Sequence, residues 1–334
     1  MDSVDVSKLI DVSLVGNYDG FNNRLKQIEF KWDTCGIEAE GTFCYLSFRD
    51  GKPTQAEFVQ IIYEKIIDFC LQRDYINALI KKFEETKDKR YIIQLNDAAR
   101  ELFIKAKKKN KQSGEAGELI LFTLLESILR APRIVAKMYL KTNFNMEVYG
   151  SDAIHIKYQP DNKILNLYWG EAKLYDELSS ALDKIVESVK KFNEQDKKTG
   201  IIPREFDINI IKKHADIEIK DNETKEALIA FLDPYSEHYA NLREINACLA
   251  IWDWDAYKCI DSSNPGDFEE VFKIKYLDRI DSACKLITEK INMNQIKHLR
   301  FHFFLLPIVD RKEFRKAFCN KVGLPYENNI EAEN

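Results

Sequence analysis

The spacing of hydrophobic and polar residues changes several times along the chain, and each spacing predicts a different element. Apolar residues in "GEAGELILFTLLESILRAP" recur at helical spacing, and Pro132 closes this helix. Three short strands are predicted after it, at "RIVAKMYL", "SDAIHIKY" and "ILNLYWGEAKL". An amphipathic helix from Asp176 to Phe192 follows, and two buried strands are expected at "INACLAIWDW" and "LRFHFFLLPIV". Helical periodicity around 267–292 separates these two strands, and Asp310 is the expected N-cap of a last helix.

The N-terminal third predicts its own mixture of strands and helices. Strands are expected at "QIEFKW" and "GTFCYLSF", and helices over about 54–71, 74–86 and 95–107. We therefore divide the chain into an N-terminal α+β region, residues 1–110, and a larger region, residues 111–334. The order of elements in the larger region, αβββαβ, predicts an α/β (α+β) fold with a mixed central sheet flanked by helices.

A run of lysines marks the boundary between these two regions. Lys107, Lys108, Lys109 and Lys111 precede Gly114, where the next helix begins. The run is either the solvated end of a helix or a rim that contacts the phosphates of DNA.

Composition excludes several classes of protein. Hydrophobic residues are 45% of the 334, and no apolar run approaches the roughly 20 residues that a membrane span needs. The first residues lack the basic start of a signal peptide, so we expect a cytoplasmic protein. Seven scattered cysteines without a C-x-x-C pair predict neither a disulfide framework nor a structural zinc site. A net charge of −5 argues against binding nucleic acid by bulk attraction alone, although it permits local basic patches.

Candidate chemistry comes from charged residues on faces that are otherwise apolar. In "LYWGEAKLY", alternation places Glu171 and Lys173 on the inward face of a strand, about 7 Å apart. Asp152 lies at the end of the inward face of the preceding strand, Glu118 shares the apolar stripe of the first helix, and Glu115 lies one turn earlier. Burying an unpaired charge costs several kcal/mol, so such groups persist when they pair or bind a metal ion. Converging carboxylates and one ammonium suit Mg²⁺ or Mn²⁺ with a phosphodiester substrate.

Plainer interpretations of these residues remain open. Glu171 and Lys173 could form an ordinary ion pair, and Glu118 could be a capping or solvent-facing residue. The D/E-x-K pattern recurs elsewhere in this charged chain, so what favours a site is its combination with "GEAGE" and "GSD". His298 and His302 have a spacing that binds zinc on a helix, but their surroundings predict a strand. The chain has no G-x-x-x-x-G-K-[ST] motif, so we do not expect it to hydrolyse ATP itself.

The helix acid, the strand aspartate and the E-x-K motif, in this order, resemble the PD-(D/E)XK nuclease superfamily. This resemblance covers residues 111–260 and implies a restriction-endonuclease-like core. More narrowly, "GEAGELILFTLLE", "GSDAIHI" and "YWGEAKLY" resemble the HamA family, the nuclease subunits of the Hachiman anti-phage defence system, over most of the chain. The implied activity is that of a metal-dependent DNA endonuclease that works with a helicase subunit, HamB. Residues 1–110 are then a candidate for part of the surface that binds this partner.

The resemblance also implies roles for individual residues. Asp152, Glu171 and the backbone carbonyl of Ala172 would bind Mg²⁺ or Mn²⁺, and Lys173 would be the catalytic lysine. Glu118 would complete the site.

Two positions leave room for other assignments. Glu115 is the rival of Glu118 for the helix acid, and Ser151 stands where the name of the superfamily has proline. Two other functions remain open, a stand-alone restriction or repair nuclease and a non-catalytic adaptor that binds nucleic acid.

Overall fold

A mixed six-stranded sheet organises the protein. The computed structural model describes residues 4–109, 114–143, 150–214, 218–258 and 268–324. The sheet has the order β1-β2-β8-β7-β6-β5, in which β2, β8, β7 and β6 run parallel and the two edge strands are antiparallel to their neighbours. Its strands are β1 (Leu25–Ile28), β2 (Ala39–Leu46), β5 (Ala153–Gln159), β6 (Ile164–Tyr175), β7 (Leu242–Asp253) and β8 (Arg300–Ile308). A separate short hairpin consists of β3 (Phe48–Arg49) and β4 (Lys52–Pro53).

Helices cover both faces of this sheet. They are α1 (Gln55–Glu64), α2 (Ile66–Cys70), α3 (Arg73–Thr86), α4 (Arg90–Lys109), α5 (Glu115–Ser127), α6 (Lys137–Asn143), α7 (Leu178–Asn193), α8 (Pro203–His214), α9 (Asn222–Leu232), α10 (Phe268–Met293) and α11 (Arg311–Val322). Within the described ranges, none is long and apolar enough to cross a membrane.

Strand β6 has one helix on each of its faces. On one face α5 approaches Ala172, since a Cβ added at Gly117 would lie 3.5 Å from the Ala172 Cβ. On the other face Ser188 of α7 hydrogen-bonds to Glu171. Because successive side chains of a strand point to opposite faces, α5 and α7 lie on opposite sides of the sheet.

Much of the predicted architecture is confirmed. The β5–β6 hairpin, the long helix after it, the buried strands β7 and β8 and the mixed sheet between helices are all present. Asp310 caps the last helix by accepting a hydrogen bond from the Glu313 backbone N–H. The strands β1 and β2 come from the N-terminal region and belong to the same sheet as β5–β8. The restriction-endonuclease-like core and the division at residue 110 stay predictions.

One predicted strand was wrong. "RIVAKMYL" forms helix α6 from Lys137 onward, and before it Arg133 forms an isolated β-bridge with His155. The guanidinium of Arg133 is buried and donates to the carbonyl oxygens of Phe69 and Leu71. A short apolar run is compatible with a buried helix as well as a strand, so the sequence pattern alone could not decide between them.

The lysine run lies at the edge of what the structure describes. The backbone of Lys107, Lys108 and Lys109 belongs to the end of α4, but their side chains and Lys111 lie outside the described residues. Their contact with DNA therefore stays a prediction.

Gly170 gives a first test of how tightly the hairpin packs. A Cβ added at Gly170 would lie 2.7 Å from the Ala153 Cβ and 3.0 Å from the Leu121 Cδ2. We expect Gly170→Ala to lower the free energy of unfolding by about 1–3 kcal/mol, because the neighbours must move. Urea denaturation measures this loss. Gly117→Ala is the matched control, since its new methyl makes an ordinary contact, and an equal loss there would contradict the argument.

Candidate active site

Glu171 and Lys173 lie together on β6, on the face that α7 covers. The Lys173 Nζ lies 2.7 Å from the Glu171 Oε1, and the two side chains keep 27% and 15% of their surface exposed, respectively. Ser188 of α7 also hydrogen-bonds to the Glu171 carboxylate. The alternation predicted for this strand is thus confirmed, and the pair is neither fully buried nor freely solvated.

Asp152 lies beside this pair, one residue before β5 begins, where β6 extends beyond its pairing with β5 but stays paired with β7. The ladder between the two strands begins with Ala153 opposite Gly170. One residue earlier, the Asp152 backbone N–H donates to the Gly170 carbonyl at 2.7 Å, and its Oδ2 accepts from the Ala172 N–H at 2.9 Å. The carboxylate of Asp152 therefore occupies the edge of the sheet close to Glu171.

The two carboxylates repel each other. Burial and the charge of Asp152 raise the pKa of Glu171 to about 7, although Lys173 and Ser188 act to lower it. Burial acts to lower the pKa of Lys173, but the negative charges of Glu171 and Asp152 outweigh it and raise this pKa. Two carboxylates and one ammonium leave an excess of negative charge, which a bound divalent cation would neutralise. This donor set fits Mg²⁺, which uses one or two carboxylates and keeps other positions for water or phosphate.

The helix acids belong to α5, which lies on the face of the sheet opposite α7. Glu115 and Glu118 are buried in its first turn. Burial and, more weakly, the charges of both acids raise the pKa of the Cys70 thiol on α2. In the part of the chain that the structure describes, no three acidic, histidine or cysteine side chains form a cluster that could hold a metal ion. The structure thus brings Asp152 to Glu171 without completing a three-acid site, and the roles of Glu118 and Glu115 stay predictions.

His155 and His302 each have hydrogen-bond partners outside the candidate site. His155 is fully buried against Phe122 and pairs with the Ala131 carbonyl through its Nδ1, at 2.8 Å. Burial lowers the pKa of His155 to about 3, so it stays neutral. His302 lies in β8, and its Nε2 hydrogen-bonds to the Thr42 hydroxyl at 2.8 Å. The strand predicted around His302 is confirmed.

Sequence reasoning missed a buried polar group next to Asp152. Ser151 is bonded to Lys137 of α6 and Asp207 of α8. The one local signal was Asp207, which shares the buried side of α8 with Ile210 and Ile211 at spacings of three and four. A charged residue on an apolar helical face calls for a buried partner.

The raised pKa of Glu171 predicts a pH-dependent difference in stability. In the unfolded chain Glu171 ionises near 4.5, whereas in the folded protein its pKa is about 7. The folded state therefore binds more protons between these values, and this residue makes the protein less stable as the pH rises through that window. We expect the free energy of unfolding of Glu171→Gln, relative to that of the wild type, to rise by about 2 kcal/mol between pH 4.5 and pH 7.5. Urea denaturation in EDTA measures this difference.

Glu187 supplies the matched control for this comparison. It lies on the exposed side of α7, where hydrogen bonds from Lys191 and Lys184 lower its pKa. Glu187→Gln should therefore show no gain as the pH rises. A gain of the same size at both positions would contradict the assigned cause.

Comparison with known families identifies a relationship over most of the chain. The family model described as HamA matches residues 21–322 of the 334. A comparison with curated proteins gave no match.

Proposed function

This chain belongs to the HamA family and so to the components of the Hachiman defence system, and from that premise we propose that it is a metal-dependent DNA endonuclease. It would be the effector subunit of a two-component anti-phage system and would work with the helicase HamB. The observation that carries this proposal is the convergence of Asp152, Glu171 and Lys173 at one edge of the sheet.

The proposed metal ligands are two side chains and one backbone oxygen. Asp152, Glu171 and the Ala172 carbonyl would hold Mg²⁺ or Mn²⁺. When bound, the cation would polarise the scissile phosphate and lower the pKa of a water molecule. The Ala172 N–H fixes one oxygen of the Asp152 carboxylate, so this ligand is already oriented by β6. Such preorganisation reduces the cost of assembling the site.

Lys173 is best suited to an electrostatic role. The charges of Glu171 and Asp152 raise its pKa, so its amine stays protonated at neutral pH. A protonated amine cannot act as a general base, but it can donate a hydrogen bond to a phosphate oxygen and stabilise the charge that develops there. We therefore assign Lys173 the stabilisation of the transition state.

The role of the helicase follows from what the chain itself does not supply. It has no phosphate-binding G-x-x-x-x-G-K-[ST] motif, and its net charge of −5 gives little general affinity for DNA. A partner that hydrolyses ATP would deliver DNA to the site and restrain cleavage until infection. Residues 1–110 remain the candidate for part of the partner surface.

Cleavage of supercoiled plasmid tests the proposal. The purified chain is assayed alone and with HamB and ATP, each in Mg²⁺ or EDTA. We expect nicking by the two-component mixture in Mg²⁺ and none in EDTA. Efficient cutting by the chain alone would instead indicate a stand-alone nuclease. DNA binding without cutting under all these conditions would favour the non-catalytic adaptor.

A further inference from the structure

A buried ion pair lies directly behind the candidate site. The Lys137 Nζ of α6 lies 2.8 Å from the Asp207 Oδ2 of α8, and the two residues are only 5% and 0% exposed. Removing two charges from water costs several kcal/mol each, and the loss is recovered only when further hydrogen bonds satisfy them. The residues that make these additional hydrogen bonds indicate the role of the ion pair.

Both charged groups bind the same residue, Ser151. The Asp207 Oδ2 accepts from the Ser151 backbone N–H at 2.9 Å and from its hydroxyl at 2.8 Å. The Lys137 ammonium donates to the Ser151 carbonyl oxygen, and it lies 3.2 Å from the hydroxyl. The pair therefore contacts every polar atom of Ser151 and holds its backbone from two sides.

The residue before Ser151 is adapted to this arrangement. A Cβ added at Gly150 would lie 2.3 Å from the Asp207 Oδ1. A side chain at position 150 would therefore displace the Asp207 carboxylate, and glycine leaves room for it.

Asp152 lies at the end of the sheet, where one backbone hydrogen bond holds it to β6. Its N–H donates to the Gly170 carbonyl at 2.7 Å, while the regular β5–β6 ladder begins only at Ala153. Its carboxylate also accepts from the Ala172 N–H at 2.9 Å, and the residue before it, Ser151, lies outside the ladder. Fixing Ser151 therefore restricts the movement of Asp152.

We propose that Lys137 and Asp207 are positioning residues that fix Asp152 beside Glu171. They act through Ser151 and touch neither substrate nor cation. The positioning itself stands on geometry alone, and its consequence for a divalent cation rests on the proposed function. Residues behind metal ligands often change metal affinity by about 10–100-fold when they are replaced.

Hydrogen exchange of the Ala172 amide tests the positioning without any metal. Asp207→Asn keeps the shape of the side chain but removes its charge, which weakens its hydrogen bonds to Lys137 and Ser151. We expect the Ala172 N–H, observed in protein labelled with ¹⁵N-alanine, to exchange about tenfold faster or more in this variant. Exchange at the wild-type rate would overturn the inference.

Glu218→Gln is the matched control for this measurement. Glu218 also forms a buried ion pair, with Arg133 at 2.9 Å, so its replacement should cause a comparable loss of stability away from Ser151. The Ala172 amide should keep wild-type protection in this variant. If exchange of the Ala172 amide is accelerated equally in both variants, the Lys137–Asp207 pair only stabilises the fold, and the positioning role is overturned.

A second variant covers the case in which Asp207→Asn does not fold. Lys137→Met together with Asp207→Leu removes both charges and their hydrogen-bonding groups, and replacing a whole buried pair with apolar side chains is often tolerated. This double variant loses both anchors of Ser151, so the same acceleration at Ala172 is expected. Wild-type protection in a folded double variant would overturn the inference.

Calorimetric titration with Mn²⁺ separates this inference from the proposed function. The wild type should bind Mn²⁺, and Asp152→Asn should lose this binding. Asp207→Asn should bind Mn²⁺ with an affinity reduced about tenfold or more. Equal Mn²⁺ affinity in wild type and Asp207→Asn would overturn the positioning role. Identical titrations for wild type and Asp152→Asn would overturn the proposed metal site, while the exchange of the Ala172 amide still decides the positioning.

Discussion

In the proposed complex with HamB, replacing Lys173 with alanine should slow DNA cleavage about 10²–10³-fold, the usual cost of losing one electrostatic stabiliser. The wild-type amine lies 2.7 Å from the Glu171 Oε1 and stays protonated because the charges of Glu171 and Asp152 raise its pKa. Its removal deletes a positive charge from the site and leaves two neighbouring carboxylates to repel each other. Single-turnover cleavage at saturating Mg²⁺ measures the rate of the chemical step.

A lysine away from the site provides the control for this rate. Lys285 lies on the exposed side of α10, where its Nζ is 2.6 Å from the Asp281 carboxylate. Lys285→Ala should cleave at the wild-type rate. A folded Lys173→Ala protein that also cleaves within threefold of the wild type would remove this residue from the mechanism.

The largest expected effect on stability is at Glu126, which the sequence does not single out. This residue of α5 is fully buried, and its carboxylate accepts hydrogen bonds from the Val15 and Gly16 backbone N–H groups, the Tyr18 hydroxyl and the Arg133 backbone N–H. Each buried donor that loses its acceptor costs about 1–3 kcal/mol. We expect Glu126→Ala to lower the free energy of unfolding by about 4 kcal/mol or more, as measured by urea denaturation.

Glu187→Ala is the comparison for this loss. Glu187 lies on the exposed side of α7 and pairs with Lys184 and Lys191, and exposed ion pairs of this kind contribute about 0–1 kcal/mol. The two glutamates therefore differ in environment and not in the group removed. A loss below 1 kcal/mol at Glu126 would show that its four hydrogen bonds do not hold residues 15–18 to the core.

What the sequence predicted well depends on local periodicity. Alternation in β6 placed Glu171 and Lys173 on one face, and the structure brings their charged atoms to 2.7 Å. Helical spacing likewise predicted α5 and α7, which pack on this strand. These patterns arise because one face of each element is buried. The type of element and its buried face can therefore be predicted from a short window of sequence.

What the sequence could not predict depends on contacts between distant segments. Alternation does not say which helix covers which face, so it could not show that α5, the helix of Glu118, lies on the face opposite α7. Lys137 and Asp207 are 70 residues apart, and their pairing becomes visible only when α6 and α8 come together at Ser151. The helix α6 is a further case, because a short apolar run such as "RIVAKMYL" does not distinguish a buried helix from a strand.

Iron-directed backbone cleavage tests the central claim, that Asp152 and Glu171 bind a divalent cation, most directly. Fe²⁺ replaces Mg²⁺, and radicals generated with ascorbate and peroxide cut the polypeptide next to the bound ion. We expect cuts in the wild-type chain at residues 151–153 and 170–173, suppressed by excess Mg²⁺ and absent from Asp152→Asn. Cuts that map elsewhere, or that persist unchanged in Asp152→Asn, would contradict this claim.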